Sequence, residues 1–148
     1  MVKLVNVLDS LPNYEYVTVS QDMPIEDLKK IVREHPGVRS IYVTDKEGRV
    51  LGELSIGALI KNISAKRRCS SRISTRELLS CLTCRHASDI VDKRLVYASP
   101  DEDVERVLDR ALRYNIKEMP VIDKSGKLLK NISVLDLLAV LEDKDQAL

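Results

Sequence analysis

The feature that most constrains this chain is that it matches itself. The segment Ile41-Tyr42-Val43-Thr44-Asp45-Lys46-Glu47-Gly48-Arg49-Val50-Leu51 aligns without a gap on Met119-Pro120-Val121-Ile122-Asp123-Lys124-Ser125-Gly126-Lys127-Leu128-Leu129, with Val, Asp, Lys, Gly and the final Leu coinciding. The register runs on to pair Ser55 with Ser133 and Leu59 with Leu137. Upstream, Met23-Pro24-Ile25-Glu26-Asp27-Leu28 pairs with residues 101–107 after a shift of about one residue. Two related repeats, near 10–63 and 88–143, therefore make up most of the chain.

Each repeat reads in the same order. A short extended segment comes first, Val17-Thr18-Val19 or Val96-Tyr97-Ala98. A helix follows, opened by Ser20 or Ser99, with acids in its first turn that complement the helix dipole. In the second repeat Val104, Val107, Leu108, Ala111 and Leu112 form one apolar stripe at helical spacing. Two strands then meet at Asp45-Lys46-Glu47-Gly48 or Asp123-Lys124-Ser125-Gly126, where the Gly supplies the positive φ of a tight reversal. A closing helix starts at Ser55 or Ser133 as N-cap. The order is β-α-β-β-α, twice, an α/β fold. With no Trp, no Phe and only five Tyr, its core must be aliphatic.

Between the repeats the charge is uneven, although the net charge of the 148-residue chain is only +1. Lys61, Lys66, Arg67, Arg68, Arg72, Arg76 and Arg85 face one acid, Glu77. Ser74-Thr75-Arg76-Glu77 has the spacing of a capping box, and Leu78, Leu79, Leu82 and Cys81 supply a short apolar face. The reading is a basic loop over 64–73 and an inserted helix over 75–84. The domain boundaries become 1–63 for the first repeat with its lead-in, 64–86 for the insert, 87–143 for the second repeat and 144–148 for a tail.

The run of apolar strand, Asp, Gly, apolar strand, then Ser-x-x-Asp-Leu resembles the CBS domain family. It is seen best in Glu118-Met119-Pro120-Val121-Ile122-Asp123-Lys124-Ser125-Gly126 followed by Ile132-Ser133-Val134-Leu135-Asp136-Leu137. Ala87-Ser88-Asp89-Ile90-Val91 looks like the lead-in before the first strand of such domains. The resemblance implies a tandem pair packed through its sheets about a pseudo-twofold axis, leaving two clefts that take AMP, ADP, ATP or S-adenosylmethionine. It implies a non-catalytic sensor whose ligand shifts the pose of the two halves, read by a separate effector protein.

That resemblance also assigns roles. Asp136 accepts hydrogen bonds from the ribose hydroxyls, and Ser133 lies near the phosphates at a helix start, which offers free N–H groups and a positive dipole end. Lys117 falls where the family often places a basic phosphate contact, and Lys3, Leu8 and Val38 border the adenine by position alone. Two departures stand out. Ala58 replaces the ribose Asp in Gly52-Glu53-Leu54-Ser55-Ile56-Gly57-Ala58-Leu59, so one cleft lacks its diol acceptor. Lys130 stands where the family usually has Gly, which either crowds the strand end or adds a phosphate contact.

Other readings compete. Cys81-Leu82-Thr83-Cys84-Arg85-His86 with Cys69 holds four possible zinc ligands, a metal- or thiol-dependent alternative. No second CxxC supports it, and a free Cys is commonly a small buried hydrophobe. The basic insert offers a nucleic-acid alternative, but no aromatic residue interleaves it for base stacking. His35 before Pro36-Gly37 is an ordinary cation at a helix end. No nucleophile-base-acid set and no phosphate-cradling glycine loop is present, so no enzymatic activity is expected. No apolar run approaches the ~18 residues that cross a bilayer, and three Cys argue against a secreted disulfide framework. A cytoplasmic homodimer is expected, with no membrane insertion and no required cofactor.

Overall fold

The structure, a computed structural model, describes residues 1–67, 74–76, 79 and 83–146. It divides into two units that cross the sequence repeats. The N-unit holds Tyr16–Glu47 with Leu51–Leu95; the C-unit holds Met1–Glu15, Gly48–Val50 and the chain from Val96 onward. Each repeat has thus given its lead-in to the other unit.

The N-unit contains β1 (Val17–Ser20), α2 (Ile25–Glu34), β2 (Ile41–Thr44), β3 (Val50–Leu54), α3 (Ile56–Arg67) and the short helix α4 (Ala87–Ile90). Its sheet runs β1-β2-β3. β1 and β2 are parallel, with Val17 opposite Ile41, and α2 is the crossover that parallel neighbours need. Ile25 and Leu28 of α2 are buried with Val19, Ile41, Val43, Leu54 and Leu59 in an aliphatic core. The lead-in docks through its backbone: Ile25 N–H donates to Arg85 O, Ala87 N–H to Met23 O and Ser88 N–H to Gln21 O, each at 2.9 Å.

The C-unit contains α1 (Leu4–Val7), a 3-10 turn (Leu8–Ser10), α5 (Val104–Arg113), β4 (Glu118–Ile122), β5 (Leu128–Ser133) and α6 (Val134–Gln146). β4 and β5 form an antiparallel pair. The lead-in repeats the docking pattern, with Val104 N–H to Val2 O, Leu4 N–H to Glu102 O and Val5 N–H to Pro100 O, each at 2.9 Å. Leu4, Val7 and Leu11 enter a core with Val104, Val107, Met119, Ile132 and Leu137. At roughly 2 kcal/mol per buried aliphatic side chain, these three anchor the lead-in firmly.

Four expectations are corrected. The helices after Ser20 and Ser99 begin later, at Ile25 and Val104, with Pro24 and Asp103 as the extended N-caps. Met23 precedes a proline and is held out of the helical region, and Asp103 is paired in an antiparallel bridge with Lys3. Val96-Tyr97-Ala98 is not a full strand. Only Ala98 bridges Val121, and the Tyr97 carbonyl is taken by the Arg110 guanidinium at 2.6 Å. Leu112 leaves the apolar stripe and is 76% exposed, whereas Val104, Val107, Leu108 and Ala111 are buried. Residues 64–67 continue α3 rather than starting a loop, since no Gly or Pro interrupts the run.

The turn glycines behave as their spacing requires, with φ of 82° at Gly48 and 86° at Gly126. In the insert, Thr75, Arg76, Leu79 and Thr83 are helical, and Thr83 Oγ1 donates to Leu79 O at 2.9 Å. Arg68, Arg72, Glu77, Leu78, Leu82, Cys69 and Cys81 lie outside the described residues. Among the described residues no helix is long and apolar enough to cross a membrane.

Candidate functional site

The start of α6 gathers the residues to which the Ser-x-x-Asp pattern points. Ser133 ends β5, and its Oγ accepts the Leu135 N–H at 3.3 Å. Val134, the first helical residue, donates its N–H to the carbonyl of Lys117 at 2.9 Å, which brings the Lys117 backbone to the helix start. The Lys117 side chain is exposed. Asp136, in the first turn, is half-buried and turns its carboxylate toward the lead-in: the Tyr14 hydroxyl donates to Asp136 Oδ2 at 2.5 Å.

Tyr14 is placed by β5 itself. Its N–H donates to Asn131 O at 2.9 Å, and the Asn131 N–H donates to Asn13 Oδ1 at 3.0 Å. Asn131 is fully buried and completes its bonding by giving Nδ2–H to Glu118 Oε1 at 3.0 Å. The Tyr14 phenol is held above its ordinary pKa, first because its proton is committed to the Asp136 carboxylate; Ser133 works the other way and Glu118 adds to the rise. A carboxylate, two hydroxyls and a helix start thus converge on one patch. The patch offers acceptors for hydroxyl donors beside a dipole end that favours anions.

The remaining positions lie elsewhere. Lys3 Nζ is 3.1 Å from Asp103 Oδ1 and so supports the entry to α5. Leu8 is half-buried against the C-unit core, and its carbonyl accepts Lys130 Nζ at 2.7 Å. Val38 is buried in the core of the N-unit. Lys130 also donates to Leu11 O at 2.8 Å, so in this structure its ammonium ties together the carbonyls at the two ends of the 3-10 turn.

The equivalent helix start in the N-unit is differently used. Ser55 Oγ accepts the Ala58 N–H at 2.9 Å, the ordinary N-cap bond, and no carboxylate follows. Of the candidate metal ligands, Cys84 is buried in the N-unit core with its thiol directed at Asp89 O, and His86 is exposed beside the Asp89 carboxylate. Among the described residues no group of three or more His, Cys, Asp or Glu could hold a metal ion. Sequence reasoning missed Tyr14, Asn13 and Asn131. The one signal for Tyr14 is its being aromatic in a chain that has almost no aromatic residues.

Comparison with known proteins agrees with this architecture. The magnesium transporter MgtE of Thermus thermophilus is 28% identical over 132 residues, which are 86% of this chain and 25% of that protein. The chain therefore spans about a quarter of that relative's length. A crystal structure of the cytosolic domain of the Mg2+ channel MgtE in complex with ATP is 28% identical, with a TM-score of 0.61, over 84% of this chain and 44% of that one. A structure of CBSX2 in complex with AMP superposes at a TM-score of 0.66 over 96% of this chain and 98% of that one; at 16% identity it speaks for the fold alone. The model of the CBS domain matches twice, at residues 8–65 and 87–143, the two repeats already seen in the sequence. The chain belongs to the CBS domain family, as a tandem pair of such domains.

Proposed function

We propose that this CBS pair is a non-catalytic regulatory module whose ligand is an adenosine derivative, AMP, ADP, ATP or S-adenosylmethionine, held at the start of α6. The observation that carries the reading is the Ser133–Asp136 pair at a helix N-terminus, with the acidic side chain accepting a hydroxyl proton from Tyr14. A carboxylate that accepts from a phenol accepts equally from a ribose diol, and the Ser133 end suits phosphate. The ATP complex of the similar MgtE cytosolic domain supports the same ligand class. Lys117 is the proposed cationic contact. Binding would be read out by an effector protein, in a cytoplasmic homodimer. At the N-unit helix start, Ala58 leaves no acidic acceptor, so one ligand per chain is proposed.

Thermal unfolding with each of the four ligands tests this. A ligand bound only to the folded state at ~100 times its dissociation constant adds about 2.7 kcal/mol, a shift of several degrees. The shift is expected for at least one ligand and is expected to vanish in Asp136→Ala. No shift with any of the four would remove the reading.

A further inference from the structure

We infer that Tyr14 is an affinity- and specificity-determining residue of the α6 site, because its hydroxyl occupies the acceptor that a ribose diol needs. The inference rests on the reading of Asp136 as the diol acceptor. A carboxylate engages a vicinal diol through both oxygens, one to each hydroxyl. Here Tyr14 already takes one of the two acceptor sites of Oδ2 and competes for that oxygen, whereas Oδ1 carries no such bond among the described residues.

The arrangement around Tyr14 makes this contact a built one. Its backbone is fixed by the Asn131 carbonyl, and the preceding Asn13 side chain takes the Asn131 N–H, so residues 13–14 continue as a partner along β5. Asn131 is itself buried and tied to Glu118. The ring, by contrast, belongs to an exposed residue, and a rotation about its side-chain bonds leaves those backbone bonds in place. A diol ligand therefore displaces a side chain and leaves the backbone in place. The cost is the bond from Tyr14 to a charged acceptor, and it falls on any ligand that claims both oxygens. A ligand with one ribose hydroxyl uses Oδ1 and leaves Tyr14 where it is.

Two consequences follow. Removing the phenol hydroxyl strengthens ligand binding instead of weakening it, which is the opposite of what a residue contacting the ligand through that hydroxyl would show. The gain is also selective for the full diol.

Calorimetric titration of AMP and 2′-deoxy-AMP into wild type, Tyr14→Phe and Asp136→Ala tests both points. Tyr14→Phe keeps the exposed ring and is expected to fold as wild type. AMP is expected to bind Tyr14→Phe roughly three- to tenfold more tightly than wild type. For 2′-deoxy-AMP the change is expected to stay under about twofold. Unchanged or weaker AMP binding by Tyr14→Phe, with Asp136→Ala still abolishing it, overturns the role of Tyr14 and leaves the α6 site standing. An equal gain for both nucleotides overturns the claim about the diol. Folded wild type and folded Tyr14→Phe that both fail to bind AMP at millimolar concentration overturn this inference, and the site reading falls with it only if ADP, ATP and S-adenosylmethionine fail as well.

Discussion

The two repeats hold their borrowed lead-ins by opposite means at the same register position. In the N-unit that position is Gly52. A Cβ built there would stand 2.3 Å from Asp92 O and 2.8 Å from Val91 Cγ2, and the neighbouring Glu53 and Asp92 exchange backbone hydrogen bonds at 3.0 and 2.9 Å. In the C-unit the position is Lys130, whose ammonium reaches out to Leu8 O and Leu11 O. One unit lets the lead-in backbone press against a residue without a side chain; the other bridges the gap with a long cation. The same contrast recurs at the helix starts. Ser55 is spent on its own helix, while the Ser133 turn carries an acid that reaches the lead-in through Tyr14. The lesson is that a duplicated backbone can keep its architecture while its two docking seams, and with them its two helix starts, diverge in chemistry.

Gly52→Ala is the hardest strike at this contrast. The obstructing atoms are backbone, so the lead-in or β3 must move, and a stability loss of about 3 kcal/mol is expected in urea denaturation. A loss below ~1 kcal/mol would mean that the seam yields and that glycine is not required there. Lys130→Met comes next. It keeps the length of the side chain and removes two charge-assisted bonds, for an expected loss of about 2 kcal/mol. Wild-type stability in that variant would show that the lead-in is held without the Lys130 bonds.

The smallest effect concerns acid. Arg85 and then His86 donate backbone N–H groups to the Asp89 carboxylate at 2.9 and 3.0 Å, and these bonds hold its pKa below the ordinary value. A carboxyl depressed in the folded state contributes stability above its unfolded pKa and loses it as pH falls through the folded value. The N-unit seam therefore weakens in acid below about pH 4. Asp89 is well exposed, so Asp89→Asn should cost under ~1 kcal/mol at neutral pH, and the gap from wild type should close as pH drops toward 3. A gap that stays constant with pH would sink this account.

These seams also mark where the sequence is readable and where it is not. The turns were legible because Gly48 and Gly126 must take positive φ, a local demand that any reader of the sequence meets. The buried faces of the helices were legible from spacing, except at Leu112, where a stripe one residue too wide runs into solvent. Helix starts were misplaced because Met23-Pro24 and the Lys3–Asp103 bridge fix them, and the second of these joins distant parts of the chain. Ser133 and Asp136 stood out by their resemblance to a family pattern. Tyr14 did not, since its bond to Asp136 spans 122 positions and has no periodicity to announce it. Lys130 looked like an intrusion for the same reason: its partners are carbonyls far back in the sequence.

The exchange of lead-ins also sets an order of assembly. Every segment the N-unit needs has left the ribosome once Leu95 is clear, so it can close while the rest is still being made. Leu4, Val7 and Leu11 must wait with their apolar faces unshielded until α5, β5 and α6 arrive more than ninety positions later. That wait is a long loop closure, slow by its topology. The site at α6, which joins Tyr14 of the lead-in to the Ser133–Asp136 turn, is accordingly completed later than the helix start of the N-unit.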